Sequence, residues 1–451
     1  MRQPTDQLLR IPLREMRADL LNIQRRLARE HRGFVRYRIL RRVFTLVADP
    51  EASHQVFVGK QETYRRGMQY DNLALAIGRG LICTEGETWR RQRRQAQPIF
   101  GKALMARIVE ITAALAAETA KSWAWATRPV DVFADLQQLT MRVISRAMFG
   151  QDLPVADDLS EALALGLEVV MIRNISPVPP PLWLPTRRHR RFKRHLAAVD
   201  RFVYERIDER LADRERFDDI LGDLVRAADD APHGRAAARL RRELRDQAVT
   251  FFYAGLETTA SALAWTWLLL AQNPDAEARF HDELASVLRD GRAPAVGDLS
   301  ALSYTNQVVQ ESMRLYPPVY TLTRRAAAAD QVGAWQISGG DNLVVPLHAL
   351  HRMPEYWDKP DSFCPERFAD LTDDQRKAYL PFNIGPHRCI GASFATTEML
   401  AVLAVIGQRV RLRPAAGHPV QIQVAVTQRP LNGLWMTVEP RAMATTGTDH
   451  E

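Results

Sequence analysis

Phe382-Asn383-Ile384-Gly385-Pro386-His387-Arg388-Cys389-Ile390-Gly391 sets one cysteine inside a glycine-punctuated loop, and the helix-forming run Ala392-Ser393-Phe394-Ala395-Thr396-Thr397-Glu398-Met399-Leu400 follows at once. Glycine lets the backbone bend close to a flat partner. A helix start adds unpaired N–H groups and a dipole field that favour negative sulfur. An isolated cysteine is usually a small buried apolar residue. One held like this suits a metal approached from one side, above all the axial position of haem, where a thiolate pushes electron density onto iron. The last helix is expected to begin at Cys389.

A second stretch lies inside a helical pattern running from about Leu240 to Gln272: Phe251-Phe252-Tyr253-Ala254-Gly255-Leu256-Glu257-Thr258-Thr259-Ala260. Glycine and two threonines in mid-helix cost stability. A threonine hydroxyl can bond back to the carbonyl one turn earlier and open the helix locally. Such an opening would place an acid and an alcohol beside a groove for a small molecule such as O2, where Glu257 and Thr258 with water could deliver protons. Taken alone, Glu257 equally suits an exposed helix acid and Thr258 a packing residue. A third stretch, Glu311-Ser312-Met313-Arg314, puts carboxylate and guanidinium on one helical face. By itself that spacing suits a surface pair of little energetic value.

Together these stretches resemble the cytochrome P450 family. Phe-x-x-Gly-x-His-x-Cys-x-Gly is similar to its cysteine loop, Ala254 to Thr259 to its Ala/Gly-Gly-x-Asp/Glu-Thr-Thr motif, and Glu311 and Arg314 to its Glu-x-x-Arg pair. Pro365-Glu366-Arg367-Phe368 matches the segment that supplies a second arginine, and Trp89 and Arg93 match its Trp-x-x-x-Arg. The resemblance spans Trp89 to Gly391 and implies a mainly α fold with a minor β region, with haem b between the Ala254–Gly255 helix and the Phe382, Gly385, Cys389 and Gly391 loop. It implies Cys389 as the iron ligand. It also implies that Glu311, Arg314 and Arg367 form a buried network behind the loop. Trp89, Arg93, His387 and one strand arginine serve the two propionates; of Arg324 and Arg325, the count back from the Trp335-to-Asp341 turn favours Arg324. It further implies monooxygenation, with O2 and two electrons consumed and Glu257 and Thr258 relaying protons.

Phe251, Ala254, Val319, Leu322 and Leu434 are expected to line an apolar substrate pocket. A terpenoid or other hydrophobic secondary metabolite is the expected substrate, ahead of a fatty acid, and a peroxygenase or isomerase needing no redox partner is the rival activity. No fused reductase is expected, so electrons from NAD(P)H are expected through a separate ferredoxin and ferredoxin reductase, docking near Arg90-Arg91-Gln92-Arg93-Arg94.

The 451 residues are read as a single domain over 1–441, expected to be a monomer, with a polar, disordered tail over 442–451. An apolar content of 46% supports a sizeable core. No run of eighteen apolar residues occurs and the N-terminus lacks a signal-peptide pattern, so a cytoplasmic protein without a membrane anchor is expected. Cys83 and Cys364 read as packing residues, and the three cysteines match no disulfide or zinc spacing. The net charge of +8 suits an acidic protein partner. Its densest run, Arg187-Arg188-His189-Arg190-Arg191-Phe192-Lys193-Arg194-His195, reads as a solvated helix face, not a nucleic-acid site. Elsewhere an amphipathic helix is expected over Arg14–His31, strands over Gly33–Tyr37 and Arg42–Val47, and helices from Thr88 to about Arg289 broken only at Ser176–Pro181. Asn432-Gly433 marks a hairpin.

Overall fold

The computed structural model describes residues 8–40, 42–176, 181–228 and 234–441. The 442–451 tail and the centre of the proline loop, 177–180, therefore lie outside the described residues. Mean helical spacing near the N-terminus does produce helix, but as two pieces, α1 (Leu13–Ala18) and α2 (Leu20–Glu30), because Asp19 at φ −152° and ψ 55° leaves the helical region. Six further helices carry the site: α3 (Gly86–Ala96), α4 (Lys102–Ala124), α5 (Val132–Phe149), α6 (Ala156–Ile175), α7 (Arg187–Ala212) and α8 (Gly234–Gln272). After them come α9 (Ser303–Leu315) and α10 (Ala392–Gly407).

Helix α8 is already formed at Gly234, ahead of the expected Leu240, and its 39 residues make a rod of about 58 Å. It packs on α5, α7, α9 and α10, and α10 packs in turn on α4. The apolar faces of α4, α5, α8 and α10 merge into the main core, with Ile108, Leu136, Trp265 and Leu403 inside it. Breaks between the helices are more numerous than the proline loop alone. Gly150 closes α5 in the left-handed region, and Asp219 starts a new helix after the Asp213 end of α7. The final helix begins at Ala392, three residues later than expected, because the segment from Gly385 to His387 forms a separate 3-10 turn that aims Cys389.

One sheet of six strands flanks the helices, in the order β1 (Leu9–Arg10), β2 (Phe34–Ile39), β3 (Arg42–Val47), β6 (Asn342–Val345), β5 (Leu322–Ala326) and β4 (Tyr64–Arg65). The β2 and β3 strands pair antiparallel, Phe34 opposite Val47, as their alternation predicts. Strand β5 keeps period 2, with Leu322, Arg324 and Ala326 buried and Arg325 exposed. The expected hairpin at Asn432-Gly433 does not form. Both residues take positive φ, 63° and 86°, but the turn joins strands of different sheets. On one side β8 (Gln428–Leu431) pairs with β7 (Gln421–Val424); on the other, β9 (Trp435–Pro440) pairs with Val410–Pro414 and Val130–Asp131. Asp131 decides this: its carboxylate accepts the Leu434 N–H at 2.9 Å and fills the space where a side chain at residue 433 would lie.

Candidate active site

Cys389 is held by its own loop. Its N–H donates to the Phe382 carbonyl at 2.8 Å, and Asn383 turns the chain at φ 61°. Gly385, at φ 68°, passes so close to the Phe57 carbonyl that a Cβ there would sit 2.5 Å from it. Burial pushes the Cys389 thiol up; the Gly391 N–H, Arg93 and Arg388 pull it down. The thiol is accessible although protein crowds around it.

Helix α8 packs on the helix that follows the Cys389 loop. Between Gln247 and Leu270 every residue is buried except Tyr253, Ala254, Gly255 and Thr258. Thr258 Oγ1 donates back to the Ala254 carbonyl at 2.6 Å, the expected bond, while the helix stays continuous. Glu257 does not turn to Thr258. Its carboxylate meets Arg429 Nη1 of β8 at 2.7 Å, and Gln423 holds the same guanidinium at 2.8 Å.

Behind the loop, Arg314 spends all five of its N–H donors. Nε and Nη2 grip Glu311 at 2.7 and 2.8 Å, and the remainder reach the carbonyls of His351, Pro360 and Ser362. Arg367 Nε joins Glu311 at 3.0 Å, and so does the backbone N–H of Cys364 at 2.9 Å. Cys364 is therefore half-buried and tied in by its backbone, whereas Cys83 is buried.

Four basic side chains gather on the remaining side. Trp89 packs on the His387 ring, centroids 4.2 Å apart, and Arg93 Nη1 donates to the Arg388 carbonyl at 2.9 Å. Arg66, which no motif marks, comes within 3.1 Å of His387 Nδ1 and leaves its buried Nε without a hydrogen bond. Arg324 is 3% exposed, bonds only the Thr323 carbonyl, and lies 4.4 Å from the Phe57 ring centre. Burial first, then Arg66, Arg324 and Arg93, pull the His387 imidazole down to about 3. Among the described residues only Glu85, 3.7 Å from Arg66, offers this group a carboxylate. Buried cations demand anions. A thiol, an accessible helical strip and cations wanting two carboxylates fit haem. Arg66 had one usable signal, the strand alternation Tyr64 in, Arg65 out, Arg66 in, which mirrors Arg324 and Arg325.

The expected pocket residues scatter. Ala254 belongs to the accessible strip and Val319 is exposed, while Leu322 and Leu434 are buried. Phe251 packs edge-on against Phe100, 5.6 Å away, which borders Gly391. Of the basic run before α4, Arg90 and Arg91 are engaged by Glu62 and Glu243, and Arg94 is exposed.

Glu398 is the one charged residue of α10 and was legible as an acid in an apolar run. Fully buried, it bonds Thr259, next to Thr258, and its Oε1 has no partner among the described residues. Burial pushes its carboxyl up to about 8, against a lesser pull from Thr259. In the unfolded chain the group ionises near its ordinary 4.5, so between 4.5 and about 8 the folded state holds the extra proton. Stability is therefore lost as pH rises through that window, by at most about 1.4 kcal/mol per unit. Thermal midpoints of Glu398→Gln and the parent measured from pH 5 to 9 should diverge upward to about pH 8 in favour of the variant, then run parallel. Parallel curves throughout would refute a neutral Glu398.

The cytochrome P450 family model matches residues 7–435. Cyclooctatin synthase of Streptomyces melanosporofaciens is 34% identical over 91% of this chain and 89% of its own length. Cyclooctat-9-en-7-ol 5-monooxygenase of the same organism is 35% identical over 82% of this chain and 81% of its length. An Arabidopsis thaliana cytokinin hydroxylase is 30% identical over 83% and 75%. The crystal structure of the cytochrome P450DA heme domain superposes with a TM-score of 0.84 at 24% identity, covering 97% of this chain and 99% of that one. Among the described residues no helix is long and apolar enough to cross a membrane. With a family model over nearly the whole chain and relatives of this identity and coverage, the chain belongs to the cytochrome P450 family.

Proposed function

We propose that this P450 monooxygenase acts on a polycyclic terpenoid, folded as one domain over residues 1–441 and working in the cytoplasm with a separate ferredoxin and ferredoxin reductase. The observation that carries the reading is the strip Tyr253, Ala254, Gly255 and Thr258, the only accessible positions between Gln247 and Leu270, in a helix packed on the one that follows the Cys389 loop. Two relatives, named cyclooctatin synthase and cyclooctat-9-en-7-ol 5-monooxygenase, support the substrate class.

Cys389 would ligate the iron, while Arg66, Arg93, Arg324 and His387 would meet the propionates, with Trp89 fixing the His387 ring. Haem bound there supplies O2 activation and the insertion of one oxygen atom into a C–H bond. The chain's part is to orient substrate, exclude water and move protons. Thr258 Oγ1, now donating to Ala254, would hold the proton nearest the reacting oxygen, and Glu257 would replenish it. The Arg429 ion pair holds the Glu257 carboxylate toward β8, so Glu257 must leave Arg429 to act as a relay. Electrons would enter on the side of Arg388, exposed next to Cys389, and of Arg94, exposed on α3 one residue after Arg93.

The test is a titration of the ferric holoenzyme with polycyclic terpenoid alcohols and with long-chain fatty acids, followed by turnover under labelled O2. A high-spin absorbance shift with terpenoids, and one labelled oxygen in the product when ferredoxin, reductase and NADPH are present, is expected. A shift with fatty acids alone would reassign the substrate. Turnover with peroxide but not with the reductase chain would make the protein a peroxygenase.

A further inference from the structure

The helix Pro274–Val287, between α8 and α9, takes no part in the site, yet it buries two titratable side chains one turn apart, Glu277 and His281. His281 is 2% exposed, and its contacts fix its protonation. Arg441 Nη1 lies 2.8 Å from His281 Nδ1. A guanidinium N–H can only donate, so Nδ1 must accept and the ring is neutral, with its proton on Nε2. Nε2 has no hydrogen-bond partner among the described residues, and Glu277 Oε1 stands 3.9 Å away. That carboxylate is already committed, because Arg413 grips both its oxygens at 2.7 and 2.8 Å.

Arg441 does more than meet the histidine. The same Nη1 also donates to the carbonyl of Gly407 at 2.8 Å, one of those that the end of α10 leaves open. The Arg441 backbone N–H donates to the Arg409 carbonyl at 2.8 Å, beside the pairing of Pro440 with Val410. One arginine thus joins the Pro274–Val287 helix, the end of α10 and the end of β9. Gly407 is pressed against the residue before His281: a Cβ there would sit 2.6 Å from the Phe280 ring.

A proton on Nδ1 would remove the acceptor and set a second cation against Arg441. Glu277 from the same helix, and Arg441 and Arg411 from the paired strands, act on the ring. Arg413 and Glu439 meet each other one contact further out, at 3.5 Å, and Asp282 acts on Arg441. Arg289, just past the helix, is exposed. No charge occurs on α8 between Glu257 and Gln272, and the two charged residues of α9, Glu311 and Arg314, hold each other. On α10 the one charged residue, Glu398, lies nine residues before Gly407. Burial first, then Arg441 and Arg411, hold the His281 imidazole below its ordinary 6.5, against the pull of Glu277.

We propose that the His281–Arg441 contact is an acid-released clasp, which fastens the end of β9 to the end of α10 and opens locally when His281 gains a proton. The clasp is independent of the substrate assigned above. Closed, it excludes a proton that the open form accepts at the ordinary 6.5. Closure is therefore fully favoured above 6.5 and is lost as pH falls below it, by up to about tenfold per unit. Burial pushes the Glu277 carboxyl up, but His281 and Arg413 pull it down to about 2, so it stays ionised across that window.

The test is deuterium exchange of the full-length holoenzyme between about pH 7.5 and 5, with each amide rate corrected for its own pH dependence. In the parent, protection of Thr437 to Arg441 should be level down to 6.5 and then fall by up to about tenfold per unit. Phe34–Ile39, in the other sheet, should stay unchanged. His281→Asn keeps an acceptor that does not titrate, so its protection should be level with pH, whatever its absolute value. Arg441→Gln lacks the clasp, and the segment should be equally open throughout; this variant alone decides if His281→Asn fails to show the parent's reduced CO spectrum. Level protection in the parent, or the parent's slope in either variant, overturns the proposal. A parallel loss in Phe34–Ile39 overturns it too, since the whole molecule would then be unfolding.

Discussion

Replacing Cys389 by serine is expected to abolish the red-shifted Soret band of the reduced CO complex and to lower turnover by more than about a hundredfold. Loss of an outer partner of a metal ligand alone costs about 10–100-fold, and here the proposed ligand itself goes. The site is built for sulfur: the Gly391 N–H, Arg93 and Arg388 all favour its anion, against burial. A serine hydroxyl is a far weaker acid and cannot supply the electron push that favours O–O cleavage. The measurement is the difference spectrum of the dithionite-reduced, CO-bound protein, which needs no substrate. Cys83→Ser and Cys364→Ser should leave the band in place, since Cys83 is buried and Cys364 is tied to Glu311 by its backbone. Survival of the band in Cys389→Ser would remove the ligand assignment and, with it, the proposed mechanism.

Glu311→Ala is expected to be the most destabilising single change in the chain, by about 3–5 kcal/mol. Glu311 and Arg314 are both fully buried, 2.7 Å apart, and Arg367 shares the same carboxylate. Removing it leaves two guanidinium groups without their anion, one of them in the core, and orphans the Cys364 N–H. A folded domain holds only about 5–15 kcal/mol in all, so the variant should unfold at markedly lower urea or recover little haem. The exposed pair Asp373–Arg376, 3.8 Å apart at the same i,i+3 spacing, is the control: Asp373→Ala should cost less than about 1 kcal/mol. Urea midpoints of the two variants against the parent decide the matter. Similar small losses in both would mean that the Glu311 network does not carry the loop.

The contrast between those two pairs shows where sequence reading stops. Both have an acid and an arginine on one helical face, and local spacing cannot tell which is buried. The cysteine loop was legible because its demands are local: Asn383 and Gly385 take positive φ and Cys389 stands just ahead of a helix. The Thr258 bond to Ala254 was legible too, being four residues away along one helix. Glu257 was not. Its partner Arg429 lies 172 residues off on a strand whose place depends on the whole fold. Arg66 meets His387 across 321 residues, and nothing near either one announces the contact. The Asn432-Gly433 turn failed differently. Its backbone took the expected positive φ values, but Asp131 claimed the following strand for another sheet.

Short-range chemistry alone determined the family, the helical framework and the cysteine proposed to face the iron, because backbone preference and side-chain period act within a few residues. Only the folded chain decided which carboxylates are neutral, which cations lack an anion and which arginines face outward. Burial, charge pairing and desolvation depend on what arrives from elsewhere, so the raised carboxyl of Glu398, the Glu257–Arg429 ion pair and the Arg66, Arg93, Arg324 and His387 cluster exist only in three dimensions.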